Sequence, residues 1–215
     1  MTTTTEVTAV TGRRPMGSVL AVISLILGPV LLALALATLQ EPWIGDAPDY
    51  AIINNEHGLL VLSFNLAAAA FPFMFGSVFA LAVAGRRSRR LAGAGLACSI
   101  LGLSAMFANS MLSVPLVLMY GIDDHSGFDQ LAARLSSPPL VALFAFPLFV
   151  VGTFLAGASL RGVVPGWAVV CIVLGGLFPM AVITGVGVLA LPIAALRIAG
   201  SVPIVKRFLS PDEGQ

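Results

Sequence analysis

Charge is what this chain has least of. Only 10% of its 215 residues are Asp, Glu, Lys or Arg, where soluble domains average about 25%. A net charge of +1 excludes a broadly basic nucleic-acid binder, because affinity for phosphate needs clustered, accessible cations. Histidine occurs only at His57 and His125, and cysteine only at Cys98 and Cys171. Both cysteines fall inside apolar runs, where a free thiol packs as a small hydrophobe. Neither implies a disulfide framework or a redox compartment.

The long apolar runs hold no Asp, Glu, His or Lys. Chemistry or ion coupling inside a membrane requires ionisable groups there. Their absence argues against a proton- or sodium-coupled carrier built on buried carboxylates. It argues equally against an intramembrane metalloprotease, which needs a His-Glu-x-x-His helix. No Gly-Lys-Ser/Thr phosphate loop and no Gly-x-Ser-x-Gly elbow occurs. A bis-histidine haem would take both histidines of the chain. No catalytic, cofactor-binding or metal-binding residue is therefore assigned, and the chain reads as non-enzymatic.

What the chain has is apolar length: 58% hydrophobic residues and a mean hydropathy of +1.01. A helix needs about 20 apolar residues to cross the roughly 30 Å hydrocarbon layer. The charges leave room for such helices at about 16–39, 58–85, 91–119 and 138–160. The stretch 162–205 carries only Arg197 and would be about 66 Å long as one helix, twice the membrane. Two helices, 165–183 and 186–205, fit better, with Thr184-Gly185-Val186-Gly187 supplying a permissive turn. The expected fold is all-α: a polytopic bundle of six spans in a single domain, residues 15–207.

Charge sidedness supports an even count. With both termini cytoplasmic, the inside receives Arg13, Arg14, Arg86, Arg87, Arg89, Arg90, Arg161, Lys206 and Arg207. Arg197 is close enough to Lys206 to snorkel toward the same face, the alternative being that it binds an anion. The outer loops then hold Arg134 among Glu41, Asp46, Asp49, Glu56, Asp123, Asp124 and Asp129. Five spans would put Lys206 and Arg207 outside, against the positive-inside bias. Arg13-Arg14 and the following apolar run imitate a signal peptide, but the run is too long for a cleaved h-region, so an uncleaved first helix is expected. Residues 1–14 form a Thr-rich cytoplasmic tail and 208–215 another.

Finer features concern packing. Ala70-Phe71-Pro72 and Ala145-Phe146-Pro147 stand 75 residues apart, and at the same offset Phe79 matches Phe154 and Arg86 matches Arg161. Pro192 precedes Lys206 by the fourteen residues that separate Pro72 from Arg86. This suggests three related helical hairpins in parallel repeat. Each span carries a proline (Pro29, Pro72, Pro115, Pro147, Pro179 and Pro192), read as static kinks or as hinges. Gly93, Gly95, Gly102, Gly152, Gly157, Gly175 and Gly176 allow close helix contact, and Asn65 is placed to bond Asn109 across two helices.

Outside the spans, Glu56, His57, Asp123, Asp124 and His125 are the one set of metal-competent side chains, and the simpler reading is solvated loop residues. Ser126-Gly127-Phe128-Asp129 resembles a helix N-cap, and Phe128, Leu131 and Leu135 share a face. A short surface helix in the second outer loop follows. Trp43, Tyr50 and Trp167 suit the aromatic belt.

The layout resembles a family of uncharacterised six-helix integral membrane proteins of high-GC Gram-positive bacteria. The likeness rests on the Thr-rich, Arg-ended N-tail, the acidic first outer loop and the Arg-rich turn at 86–90. It also rests on Leu160-Arg161-Gly162-Val163-Val164-Pro165-Gly166-Trp167 and the final hairpin ending in Lys206-Arg207. The resemblance implies a plasma-membrane location and carries no activity, cofactor or catalytic residue. A packing or modulatory membrane component is expected, with the lipid bilayer and a membrane protein or second copy of the chain as partners. The alternative is a small permease or efflux component for a neutral or apolar solute, lined near Asn65, Asn109 and Ser113.

Overall fold

A computed structural model of the chain describes residues 16–38, 55–85, 88–112, 140–178 and 186–210. Among these residues every regular element is helical, apart from an isolated bridge between Arg161 and Val164. The helices are α1 (Met16–Thr38), α2 (His57–Ala84), α3 (Arg89–Leu112), α4 (Leu140–Ser159), α5 (Gly166–Leu174) and α6 (Ala190–Leu209), the last entered through a 3-10 turn at Gly187–Leu189. Four stretches, Gly17–Thr38, His57–Ala84, Arg89–Ala108 and Gly187–Leu209, are long and apolar enough to cross a membrane, and Phe144–Ser159 is a shorter apolar helix. Their outward faces are apolar too: Leu20, Phe79, Leu101, Phe144, Phe154 and Val170 are all exposed. Helices that are hydrophobic all round need an apolar solvent. The protein is an all-helical membrane protein.

The helices pack in chain order, α1 on α2 through α5 on α6, and α6 returns to α1 to close a ring. Two apolar cores fill it. One joins Leu32, Met74, Val78, Leu103, Phe149, Phe178 and Ala194. The other joins Leu25, Leu81, Ala156, Leu160, Ile172 and Ile204, with Ala21, Ala84 and Phe208 against it. The second core therefore gathers the start of α1, the ends of α2 and α4, the start of α5 and the end of α6 at one end of the bundle.

Close backbone approach holds neighbouring helices. A Cβ on Gly28 would lie 2.9 Å from the Met74 nitrogen, and one on Gly102 would lie 2.6 Å from that of Phe149. Ser63 Oγ donates across α1–α2 to the Ala35 carbonyl at 2.7 Å. Phe71 and Phe107 meet edge to face at 4.8 Å between α2 and α3. The turn from α4 to α5 is tight because Gly162 adopts φ 76°, a left-handed conformation that favours glycine.

The hairpin echo extends to burial. Pro72, Pro147 and Pro192 are all exposed. Two residues on, Met74, Phe149 and Ala194 are buried; five on, Ser77, Gly152 and Arg197 are buried. Phe79, Phe154 and Ala199 are exposed again, and Leu81, Ala156 and Ser201 buried. The even-numbered helices thus turn corresponding positions inward.

Several expectations change. The fifth helix stops at Leu174 and the chain turns through 175–177, so one continuous helix over 165–183 does not form. Of the expected turn, only Val186 and Gly187 are described. Pro192 sits in the first turn of α6, where a proline removes no helical hydrogen bond. The interior proline of that helix is Pro203. Pro115, Pro179, Ser113, the surface helix around Phe128, Leu131 and Leu135, and the aromatic residues Trp43 and Tyr50 lie outside the described residues. Asn65 is exposed on α2, and the side chain of Asn109 also lies outside them.

Gly102→Leu drives a side chain into the α4 backbone and is expected to cost about 1–3 kcal/mol in denaturant unfolding in micelles. Gly93→Leu, where an added Cβ meets nothing within 4 Å, serves as the control and is expected to stay within about 0.5 kcal/mol of wild type.

Candidate functional site

Arg197 is the only charged residue in the interior of α6, in the sequence Leu191-Pro192-Ile193-Ala194-Ala195-Leu196-Arg197. Snorkelling to the inner face would leave its guanidinium in water. The structure does the opposite. Arg197 is 1% exposed, among the largest fully buried side chains of the protein. It turns inward because the helix periodicity places it on the buried face with Ala194, Gly200, Ser201 and Ile204.

The neighbouring helix explains what receives it. At Gly175 the amide still donates to the Cys171 carbonyl at 2.8 Å, but Gly176 and Leu177 donate three residues back, to Val173 and Leu174, each at 3.0 Å. The Ile172 carbonyl thereby loses its usual partner, the Gly176 amide. Arg197 Nη1 donates to it at 3.1 Å. A buried carbonyl left unpaired costs about 1–3 kcal/mol, and the carbonyl end of a helix favours a cation. The break in α5 and the buried arginine therefore satisfy one another. Glycine is required for the contact, since a Cβ on Gly175 would lie 2.6 Å from that of Arg197.

Polar groups extend across the bundle at this level. A Cβ on Gly176 would meet the Thr153 side chain, and one on Gly152 would meet the backbone and hydroxyl of Ser99. Ser99, Thr153 and Arg197 are thus linked through adjacent glycines of α4 and α5, and Ser77 occupies the corresponding buried position of α2. On α2, α4, α5 and α6 this girdle separates the two apolar cores: Met74 from Leu81, Phe149 from Ala156, Phe178 from Ile172, Ala194 from Ile204. Ser77 Oγ, Ser99 Oγ, Thr153 Oγ1 and Arg197 Nε and Nη2 are buried with no hydrogen-bond partner among the described residues. Such groups are rare in native proteins and call for a ligand, a water or a functional role.

Other candidates hold less. Glu56 and His57 stand together at the start of α2, while Asp123, Asp124 and His125 lie outside the described residues. Among the described residues no three metal-ligating side chains gather. Cys98 and Cys171 are free and half-buried. A groove of about 380 Å³ between α2 and α3 is lined by Phe79, Ala82, Val83, Ala92, Leu96 and, at its edge, Arg89; apart from that arginine its walls offer no titratable group. Set beside known proteins, the chain matches no family model, no curated protein and no solved structure. The chemistry of the Arg197 centre stands on its geometry.

A buried charge with unmet hydrogen bonds contributes little stability, and an apolar residue of similar length often replaces one at no loss. In buffer free of oxyanions, Arg197→Met, which removes the buried charge but orphans the Ile172 carbonyl, is expected to stay within about 1–3 kcal/mol of wild type. Arg197→Ala, which leaves a cavity, is expected to lose about 2–5 kcal/mol. Thermal unfolding of the two variants side by side checks this.

Proposed function

We propose that the protein is a six-span component of the plasma membrane with both ends in the cytoplasm. It works without enzymatic chemistry, packing against or modulating a membrane partner or a second copy of itself. This places it with the six-helix membrane proteins of high-GC Gram-positive bacteria that its sequence resembles. The observation that supports the topology is the distribution of charge on the bundle. Arg89, Arg90, Arg161, Lys206 and Arg207 are exposed at the end where the second core gathers the first turn of α1 and the last turn of α6. No Lys or Arg among the described residues lies at the other end, where α2 begins with Glu56 and His57. Cytoplasmic faces carry that excess of cations, and Trp167, exposed at the same end, suits an interfacial belt.

The non-enzymatic reading is supported by the composition of the interior. Among the described residues, two apolar cores are separated by hydroxyls and one arginine, and no general base or nucleophile–base pair lies between them. The permease alternative draws support from the interruption of α5, because broken helices in membranes line binding sites and cavities. On that reading the path runs along Ser77, Ser99, Thr153 and Arg197 rather than past Asn65.

Single cysteines placed in a Cys98→Ala, Cys171→Ala background test the topology. Cysteine at Glu56 is expected to react with an impermeant maleimide on intact cells, and cysteine at Ser210 only after lysis. Labelling of the Ser210 site from outside would reject an even number of spans. Solute uptake by proteoliposomes separates the two functions: the favoured reading expects no protein-dependent flux of small neutral solutes, and saturable flux abolished by Thr153→Leu would establish the permease.

A further inference from the structure

Arg197 presents a built but half-used donor set. Its guanidinium remains charged at any pH a protein meets, and Nη1 is fastened to the Ile172 carbonyl at 3.1 Å. The two nitrogens without a partner, Nε and Nη2, lie along one edge of the planar fork, where their N–H bonds run side by side. That edge matches the two oxygens of a carboxylate, one hydrogen bond to each. A single acceptor atom meets both only through bent hydrogen bonds, whereas two oxygens meet them in line.

The charge also needs a counter-ion. An isolated ion in a low-dielectric interior is strongly disfavoured unless paired. Every Asp and Glu of the chain lies outside the apolar runs. The one described carboxylate, Glu56, is at the far end of α2, about 30 Å along the helix from Ser77, the position that corresponds to Arg197. Among the described residues no carboxylate is therefore placed to neutralise Arg197. The hydroxyls at the same level, Thr153 and Ser77, are buried and uncommitted, and each can donate one further hydrogen bond to an anion.

We propose that the Nε–Nη2 edge of Arg197 binds a small monovalent oxyanion, of which a carboxylate is the type, within the bundle. The anion completes the girdle between the two cores: it neutralises the guanidinium and satisfies its remaining donors. Tight packing of Gly175 and Gly176 against α6 and α4 restricts the ligand to a few heavy atoms at its charged end. The binding site rests on the bilayer-spanning reading only for the exclusion of bulk water, and its test is independent of the labelling pattern that tests the topology.

The full chain in neutral-lipid nanodiscs, in chloride buffer, is titrated with 13C-formate and followed by NMR line broadening. Wild type is expected to give saturable broadening that unlabelled nitrate, which shares the two-oxygen edge, displaces. Arg197→Met is expected to abolish it. Arg197→Lys, which keeps the charge but loses the fork, is expected to weaken it by about tenfold or more. If Arg197→Met does not fold, the comparison of wild type with Arg197→Lys decides. Oleate built into the nanodisc competes if the membrane supplies the carboxylate and does not if water does; either result accords with the same edge of Arg197. Absence of saturable broadening in wild type overturns the proposal, and so does broadening unchanged in Arg197→Met or in Arg197→Lys.

Discussion

In hydrocarbon, apolar side chains gain nothing by leaving the solvent, so helices associate only as far as their backbones and polar groups can approach one another. That constraint governs this bundle. Gly28 brings α1 onto the backbone of α2, Gly102 and Gly152 close α3 on α4, and Gly200 sets α6 against the Ala168 carbonyl of α5. Between α2 and α3 the edge-to-face pair Phe71 and Phe107 takes the place of glycine. The close contacts then fix everything else, because a turn or a polar group can be tolerated only where the neighbouring chain is near enough to answer it.

The break in α5 is the clearest case. Broken backbone in a membrane survives where its orphaned groups are met from within the protein. Here the glycine pair that frees the Ile172 carbonyl also lets α6 come close enough for Arg197 to reach it. One dipeptide creates the deficit and permits its remedy. The same level of the bundle carries the buried hydroxyls of α2, α3 and α4, so the molecule is layered: apolar, polar, apolar.

The long helices and the clustering of cations at one end were legible in the residues, because charge interrupts apolar runs only where the chain leaves them. The interior was less so. Gly175 and Gly176 read as packing glycines, with the turn expected at 184–187, and the destination of the Ile172 carbonyl shows that they also break the helix. Arg197 stands nine residues before Lys206, a distance that a long side chain can cover, so its sequence context permitted escape to water. The contact that holds it inside comes from α5. Pro192 read as the proline of the sixth span; the 3-10 entry at Gly187–Leu189 places it harmlessly in the opening turn, and Pro203 is the interior proline instead. Asn65, a polar residue in an apolar run, suggested an inward position, yet faces outward because Ser63 takes the contact with α1.

The ring has one seam that no covalent linkage spans. α1 and α6 are neighbours although far apart in sequence, whereas the other lateral contacts, apart from a lighter one between α2 and α4, join consecutive helices. Consecutive helices can therefore pair as they are made, but the circle stays open until α6 is in place. The guanidinium of Arg197 meets the Ile172 carbonyl only when α6 packs against α5. Truncation between α5 and α6 leaves the flank of α1 bare and the break after α5 uncapped.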